Sequence, residues 1–141
     1  MLAAPQTMTT PAPTLSTPVP AKRQLRIIYA EDMRQLRDLM TLVLSRDGHT
    51  LECVDDGLQA LQKIAANPAN YDLLITDHHM PNMNGLDLVT HLRALPFPGK
   101  IIVFSSELGA AVSDAYRKLK VDYLLPKPIF PVTLRAVLAT I

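Results

Sequence analysis

The chain has 141 residues, room for one domain with a sizeable core and hardly for two. Apolar residues make up 48% and charged residues 19%, and a formal net charge of +1 gives no electrostatic case for nucleic acid as a partner. Cys53 is the single cysteine, so an intramolecular disulfide framework and a cysteine metal cluster are both excluded.

The first twenty residues hold five prolines (Pro5, Pro11, Pro13, Pro18, Pro20) and five threonines, with no charge. Such a segment buries too little surface to offset its ordering entropy, so residues 1–23 are expected to be a disordered tail. The start also lacks the basic residues and long apolar middle of a secretory signal. No run reaches the roughly 18 apolar residues of a membrane span. A cytoplasmic protein without a membrane or nucleic-acid role is the expectation.

From Gln24 onward, short apolar runs alternate with segments of helical period. The runs at Leu25–Tyr29, Leu73–Thr76, Ile101–Phe104 and Val121–Leu125 read as strands. "IIVF" is apolar throughout, as a strand covered on both faces should be. Thr50–Val54 alternates polar and apolar residues, which suits an edge strand. Between these, Leu36, Leu39, Met40, Val43 and Leu44 form one helical stripe that Gly48 can stop, and Leu58, Leu61 and Ala65 form a second after Asp56-Gly57. Leu88, Val89, Leu92 and Leu95 mark a third helix. Val112, Ala115, Tyr116 and Leu119 mark a fourth, and Leu134, Val137, Leu138 and Ile141 a fifth. Five strand–helix units predict an α/β fold, (βα)₅, with a doubly wound parallel sheet over residues 24–141. Ligands in such folds bind beyond the carboxyl ends of the strands.

The strand ends carry the chemistry. Glu31 and Asp32 follow the first strand, and two adjacent carboxylates at one site repel unless a cation or proton intervenes. A plain alternative is a helix N-cap, which Asp32 alone could supply. Asp77 closes the third strand, where buried neighbours make a purely structural acid unusual. Ser105 ends the fourth, and Lys127 stands between two prolines after the fifth. Three carboxylates make a hard oxygen site suited to Mg²⁺ or Mn²⁺ rather than zinc. A lysine and a hydroxyl beside it could hold phosphoryl oxygens, so the set points to phosphoryl transfer to a carboxylate. His78 and His79 are adjacent, and in an extended segment their rings should diverge. They lack imidazole partners at helical spacing, which argues against an imidazole metal site, although a backbone carbonyl there could complete an oxygen site. His49 and His91 read as surface residues.

These residues, in this order, resemble the receiver (response regulator, CheY-like) domain of two-component phosphorelay signalling. "IIYAED", "LLITDHHMPNMNGLDL", "IIVFSS" and "YLLPKPI" carry the resemblance across Leu25–Ile141, with 28 residues from Asp77 to Ser105 and 22 from Ser105 to Lys127. The resemblance implies flavodoxin-like strand order 2-1-3-4-5 and makes Asp77 the phosphoacceptor of a phosphoprotein. It implies Mg²⁺ (or Mn²⁺) on Glu31, Asp32 and Asp77 and on the main-chain oxygen of His79. Ser105 and Lys127 would contact phosphoryl oxygens, and the Lys127–Pro128 bond would be cis. His79 and Glu107 hold positions that tune phosphoryl lifetime. Family members usually carry an aromatic switch residue three positions before the lysine; here that position is Leu124, and Tyr123 should face the other way.

The implied donor is a sensor histidine kinase or phosphotransfer protein. The implied output is binding of a downstream protein by the face of the fourth helix, fifth strand and fifth helix, with a homodimer also allowed. With the chain stopping at Ile141, a stand-alone regulator is expected, catalysing nothing beyond its own phosphorylation and dephosphorylation. Two rivals stay in view. One is a receiver-like scaffold that is never phosphorylated. The other is a Mg²⁺-dependent aspartyl-phosphate phosphohydrolase, which would want an acid where His79 stands.

Overall fold

The structure is a computed structural model that describes residues 23–106 and 109–141. The expected tail therefore lies outside the described residues apart from Arg23, and Glu107 lies outside them too. Arg23 itself is engaged, 3.6 Å from the Asp72 carboxylate and donating to the Ile141 carbonyl.

Five strands form one parallel sheet: β1 (Arg26–Ala30), β2 (Thr50–Val54), β3 (Leu73–Asp77), β4 (Lys100–Ser105) and β5 (Tyr123–Pro126). Their order is β2-β1-β3-β4-β5, as the resemblance implies. Every residue of β3 is buried, which is what a central strand covered on both faces requires. β2 is an edge strand and is buried only at Val54.

The helices are α1 (Arg34–Arg46), α2 (Gly57–Ala66), α3 (Gly85–Leu92), α4 (Ala110–Lys118) and α5 (Pro131–Leu138), with a short 3₁₀ turn at Pro68–Asn70. Strand alternation divides the core in two. Ile28, Leu74, Ile101 and Val103 pack with Ala60, Ile64, Leu88, Leu92 and Tyr116 from α2, α3 and α4. Ile27, Tyr29, Ile75, Ile102 and Phe104 pack with Leu44, Leu134 and Leu138 from α1 and α5. Each fully buried aliphatic side chain contributes about 1.5–3 kcal/mol. This double layer fixes the strand ends, and therefore the loops beyond them, in one rigid frame.

Two helical stripes differ from the expectation. On α1, Leu39 is 53% exposed while Leu44 is buried, because the helix rests on the sheet along a narrow strip near its C-terminal end. On α2 the buried residues are Gly57, Ala60 and Ile64, whereas Leu58 and Ala65 are exposed. Close packing explains the shift: the Gly57 amide donates to the Met83 carbonyl at 3.1 Å, and a Cβ on Gly57 would stand 2.4 Å from that oxygen. Glycine stands at the first position of the helix because a side chain there would meet the Met83 carbonyl. His49 is half-buried and accepts the Leu25 amide at 3.0 Å, so it is not a bare surface residue.

β5 begins at Tyr123 rather than Val121 because the chain turns at Lys120, whose φ is +59°. That left-handed conformation costs a side-chain-bearing residue about 1–2 kcal/mol and costs glycine little. Lys120→Gly is expected to raise unfolding stability by about 1 kcal/mol, read from the urea midpoint at unchanged slope. An unchanged or lowered midpoint contradicts the strain.

Candidate functional site

The carboxyl ends of β1, β3, β4 and β5 meet at one edge of the sheet. Glu31 follows β1, and its side chain is completely buried. Its Oε2 accepts the Met33 amide at 3.1 Å, and the Tyr29 hydroxyl donates to Oε1 at 3.4 Å. Arg37 of α1 donates to the Glu31 carbonyl at 2.8 Å and fixes the loop from outside. Asp32 is exposed. The N-cap of α1 is Met33, without a side-chain cap, so the plain capping role for Asp32 is not what the structure has.

Asp77 ends β3 with its side chain nearly buried, and the His78 amide donates to its Oδ1 at 2.9 Å. Carboxylate oxygens of Glu31, Asp32 and Asp77 all lie within 4.8 Å of one another. Lys127 enters from the loop after β5, with its Nζ 3.1 Å from Glu31 Oε1 and 3.1 Å from Asp77 Oδ1. The Lys127–Pro128 peptide is cis, and the Lys127 amide donates to the Ser105 carbonyl at 2.9 Å. Ser105 is fully buried at the end of β4.

The electrostatics follow from this crowding. Burial above all pushes the Glu31 carboxyl upward; the Met33 amide pulls it back, and the charge of Asp77 adds to the rise. Burial works against the Lys127 ammonium, yet hydrogen bonding and charge from Asp77, then Glu31, hold its pKa above the ordinary lysine value. The Tyr29 phenol is raised by burial and then by the charges of Glu31 and Asp77, so it stays protonated and donates. A hard, all-oxygen donor set with excess negative charge fits Mg²⁺ or Mn²⁺ and offers nothing that zinc prefers.

The histidines behave differently from the expectation. Their rings do not diverge but meet edge-on with centroids 4.7 Å apart, because the chain leaves the extended conformation at Asp77. His78 is buried and His79 exposed. Tyr123 and Leu124 do face opposite sides: Tyr123 packs with the α1/α5 layer and its hydroxyl pairs with Thr140 Oγ1 at 2.7 Å, while Leu124 packs on the α2–α4 layer.

Sequence reasoning missed the groups that hold the loop between β3 and α3. Asp56 is buried, caps α2 through the Gln59 amide and accepts from Asn82 Nδ2 at 2.6 Å. Asn82 has φ of +66°, a conformation that asparagine tolerates better than most side chains. The Asp-Gly start of α2 was the available signal, but its partner lies 26 residues on.

The family model for the response regulator receiver domain matches residues 27–139. The sensory/regulatory protein RpfC of Xanthomonas campestris pv. campestris is 31% identical over 121 residues, covering 83% of this chain but 16% of RpfC. Response regulator MprA of Mycobacterium ulcerans is 32% identical over 104 residues, covering 74% of this chain and 44% of MprA. The chain thus spans less than half the length of these relatives. Among solved structures, chemotaxis protein CheY4 of Vibrio cholerae superposes with a TM-score of 0.76 at 24% identity, covering 84% of this chain and 98% of that one. The signal receiver domain of a signal transduction histidine kinase from Syntrophus aciditrophicus gives 0.74 at 22% identity, covering 82% and 88%.

Lys127→Met is expected to cost about 1–3 kcal/mol, below the usual figure for a broken buried pair because the lysine keeps some exposure. In an Asp77→Asn background the same change should cost less, since one of the two carboxylates it neutralises is gone. Urea melts of the four proteins measure the difference; equal costs in both backgrounds contradict a shared ammonium.

Proposed function

Because the chain belongs to the response regulator receiver family, we propose that Asp77 accepts a phosphoryl group from a phosphohistidine on a partner protein. The partner is a sensor histidine kinase or a phosphotransfer protein. The observation that carries the proposal is the gathering of Glu31, Asp32 and Asp77 within 4.8 Å, with Lys127 Nζ 3.1 Å from two of them.

In the reaction, an Asp77 carboxylate oxygen attacks phosphorus in line with the leaving imidazole. The new O–P bond forms as the N–P bond breaks, and the electron pair of that bond returns to the imidazole nitrogen. Glu31, Asp32 and Asp77, with the His79 main-chain oxygen, would hold Mg²⁺ or Mn²⁺. When bound, that ion supplies positive charge against the phosphoryl oxygens. Lys127 exchanges its contact with Asp77 for one with a phosphoryl oxygen while keeping Glu31 as counter-ion. The Ser105 hydroxyl donates to another oxygen, and its burial keeps competing water away. Water later hydrolyses the acyl phosphate. The protein thus turns over only its own phosphoryl group and no separate substrate.

The output is binding. Phosphorylation biases the surface built from α4, β5 and α5 between two conformations, and a downstream protein reads the difference. We place the protein in the cytoplasm and the start of its receiver domain near Gln24.

With Mg²⁺ and a small phosphodonor such as acetyl phosphate, intact mass should show one phosphoryl adduct, stable in acid and labile in base. It should disappear in Asp77→Asn and when the divalent ion is chelated. A receiver-like scaffold would give no adduct, and a phosphohydrolase would release phosphate from many esters without holding it. Glu107→Ala and substitution of the His79 side chain should change how long the adduct lasts more than how fast it forms. Equal decay rates in Glu107→Ala and the parent count against that tuning role.

A further inference from the structure

His78, directly after Asp77, ties four parts of the molecule together. Its amide donates to Asp77 Oδ1 at 2.9 Å and also to the Phe104 carbonyl of β4 at 2.9 Å. Its carbonyl accepts the Gly85 amide at the start of α3, at 2.8 Å. Its Nδ1 lies 2.5 Å from the hydroxyl of Tyr116 in the last turn of α4, with the two rings edge-on and 5.4 Å apart. Tyr116 is completely buried. The fit is close: a Cβ on Gly85 would stand 2.5 Å from the Asp77 carbonyl oxygen and 2.7 Å from the Tyr116 hydroxyl oxygen.

We propose that the His78–Tyr116 hydrogen bond transmits the chemical state of Asp77 to α4, with Tyr116 acting as a positioning residue for that helix. The inference rests on Asp77 being the phosphoacceptor. When the Asp77 carboxylate becomes an acyl phosphate, its charge moves outward onto the phosphoryl oxygens. The oxygen that accepts the His78 amide then becomes a weaker acceptor. The amide keeps its bond to Phe104, so the peptide tilts toward β4 and the imidazole swings with it. Such a displacement misaligns the bond to Tyr116, and hydrogen bonds weaken steeply once misaligned. α4 then loses an internal tether. The β5 side chains offer no equivalent route, since Tyr123 is tied to Thr140 in the opposite layer and Leu124 is aliphatic.

A merely structural hydroxyl would also be buried and bonded, so the test must read the response to phosphorylation. Tyr116→Phe keeps the ring and removes the hydroxyl. Amide hydrogen exchange over residues 110–118 is measured with and without acetyl phosphate and Mg²⁺, while intact mass reports the adduct on the same samples. In the parent, phosphorylation should speed exchange in α4 about five-fold, the worth of one net hydrogen bond. Unphosphorylated Tyr116→Phe should already exchange at that faster rate, should form the adduct as the parent does, and should show no further change on phosphorylation. His78→Leu removes the same bond from its other end and should reproduce the result. The inference is overturned if Tyr116→Phe and His78→Leu keep the full phosphorylation-induced change, or if the phosphorylated parent shows none. Absence of the adduct in the parent instead sinks the phosphoacceptor reading itself.

Discussion

One ammonium between two carboxylates is the constraint on which the site depends. Glu31 and Asp77 arrive from different strands into a place with little solvent, and unscreened like charges there repel strongly. Lys127 Nζ stands 3.1 Å from each, delivered by the loop after a third strand. The arrangement is stable only because the sheet fixes all three strand ends at once. It is also incomplete in charge, since Asp32 adds a third carboxylate to the same cluster. Two units of negative charge remain over the single lysine. A divalent cation would balance them, and a phosphoryl group would give the lysine a new partner.

The sheet accounts for the placement. β3 is apolar and buried along its whole length until Asp77, so the acid is carried to the edge of the core and stopped there. β1 does the same for Glu31, β4 for Ser105, and the turn after β5 for Lys127. Two apolar layers, one on each face, hold these ends to within side-chain distances. A site on mobile loops could not hold two acids and a lysine at hydrogen-bond range without such support. The resemblance to receiver domains in sequence and in fold is therefore a resemblance in this framework first, and in chemistry through the residues set at its rim.

Much of this was legible in the sequence. Parallel strands in a doubly wound sheet are short, apolar and separated by helical periods, and Leu73–Asp77 and Lys100–Ser105 show that pattern nearly unaltered. The acids and the lysine stood out because each follows such a strand. What stayed hidden involved side chains far apart in the chain. Tyr116 read as one more apolar position on an α4 stripe, and nothing local says that its hydroxyl meets His78, 38 residues away. Asp56 and Asn82 were hidden for the same reason. The errors on α1 and α2 came from counting large apolar residues alone. Leu39 and Leu58 face outward, while Gly57 and Ala60 pack inward, Gly57 because the Met83 carbonyl comes too close for a side chain.

The central claim is that acids from two strand ends share one divalent ion. Calorimetric titration of the phosphate-free protein with Mg²⁺ addresses it directly, comparing the parent with Asp32→Asn. The parent should bind one ion per chain, and the variant should bind it at least about ten-fold more weakly, the effect of losing roughly 1.4 kcal/mol from one charged ligand. No binding in the parent, or equal affinity in both proteins, would contradict a shared ion and remove the basis for phosphoryl chemistry at Asp77.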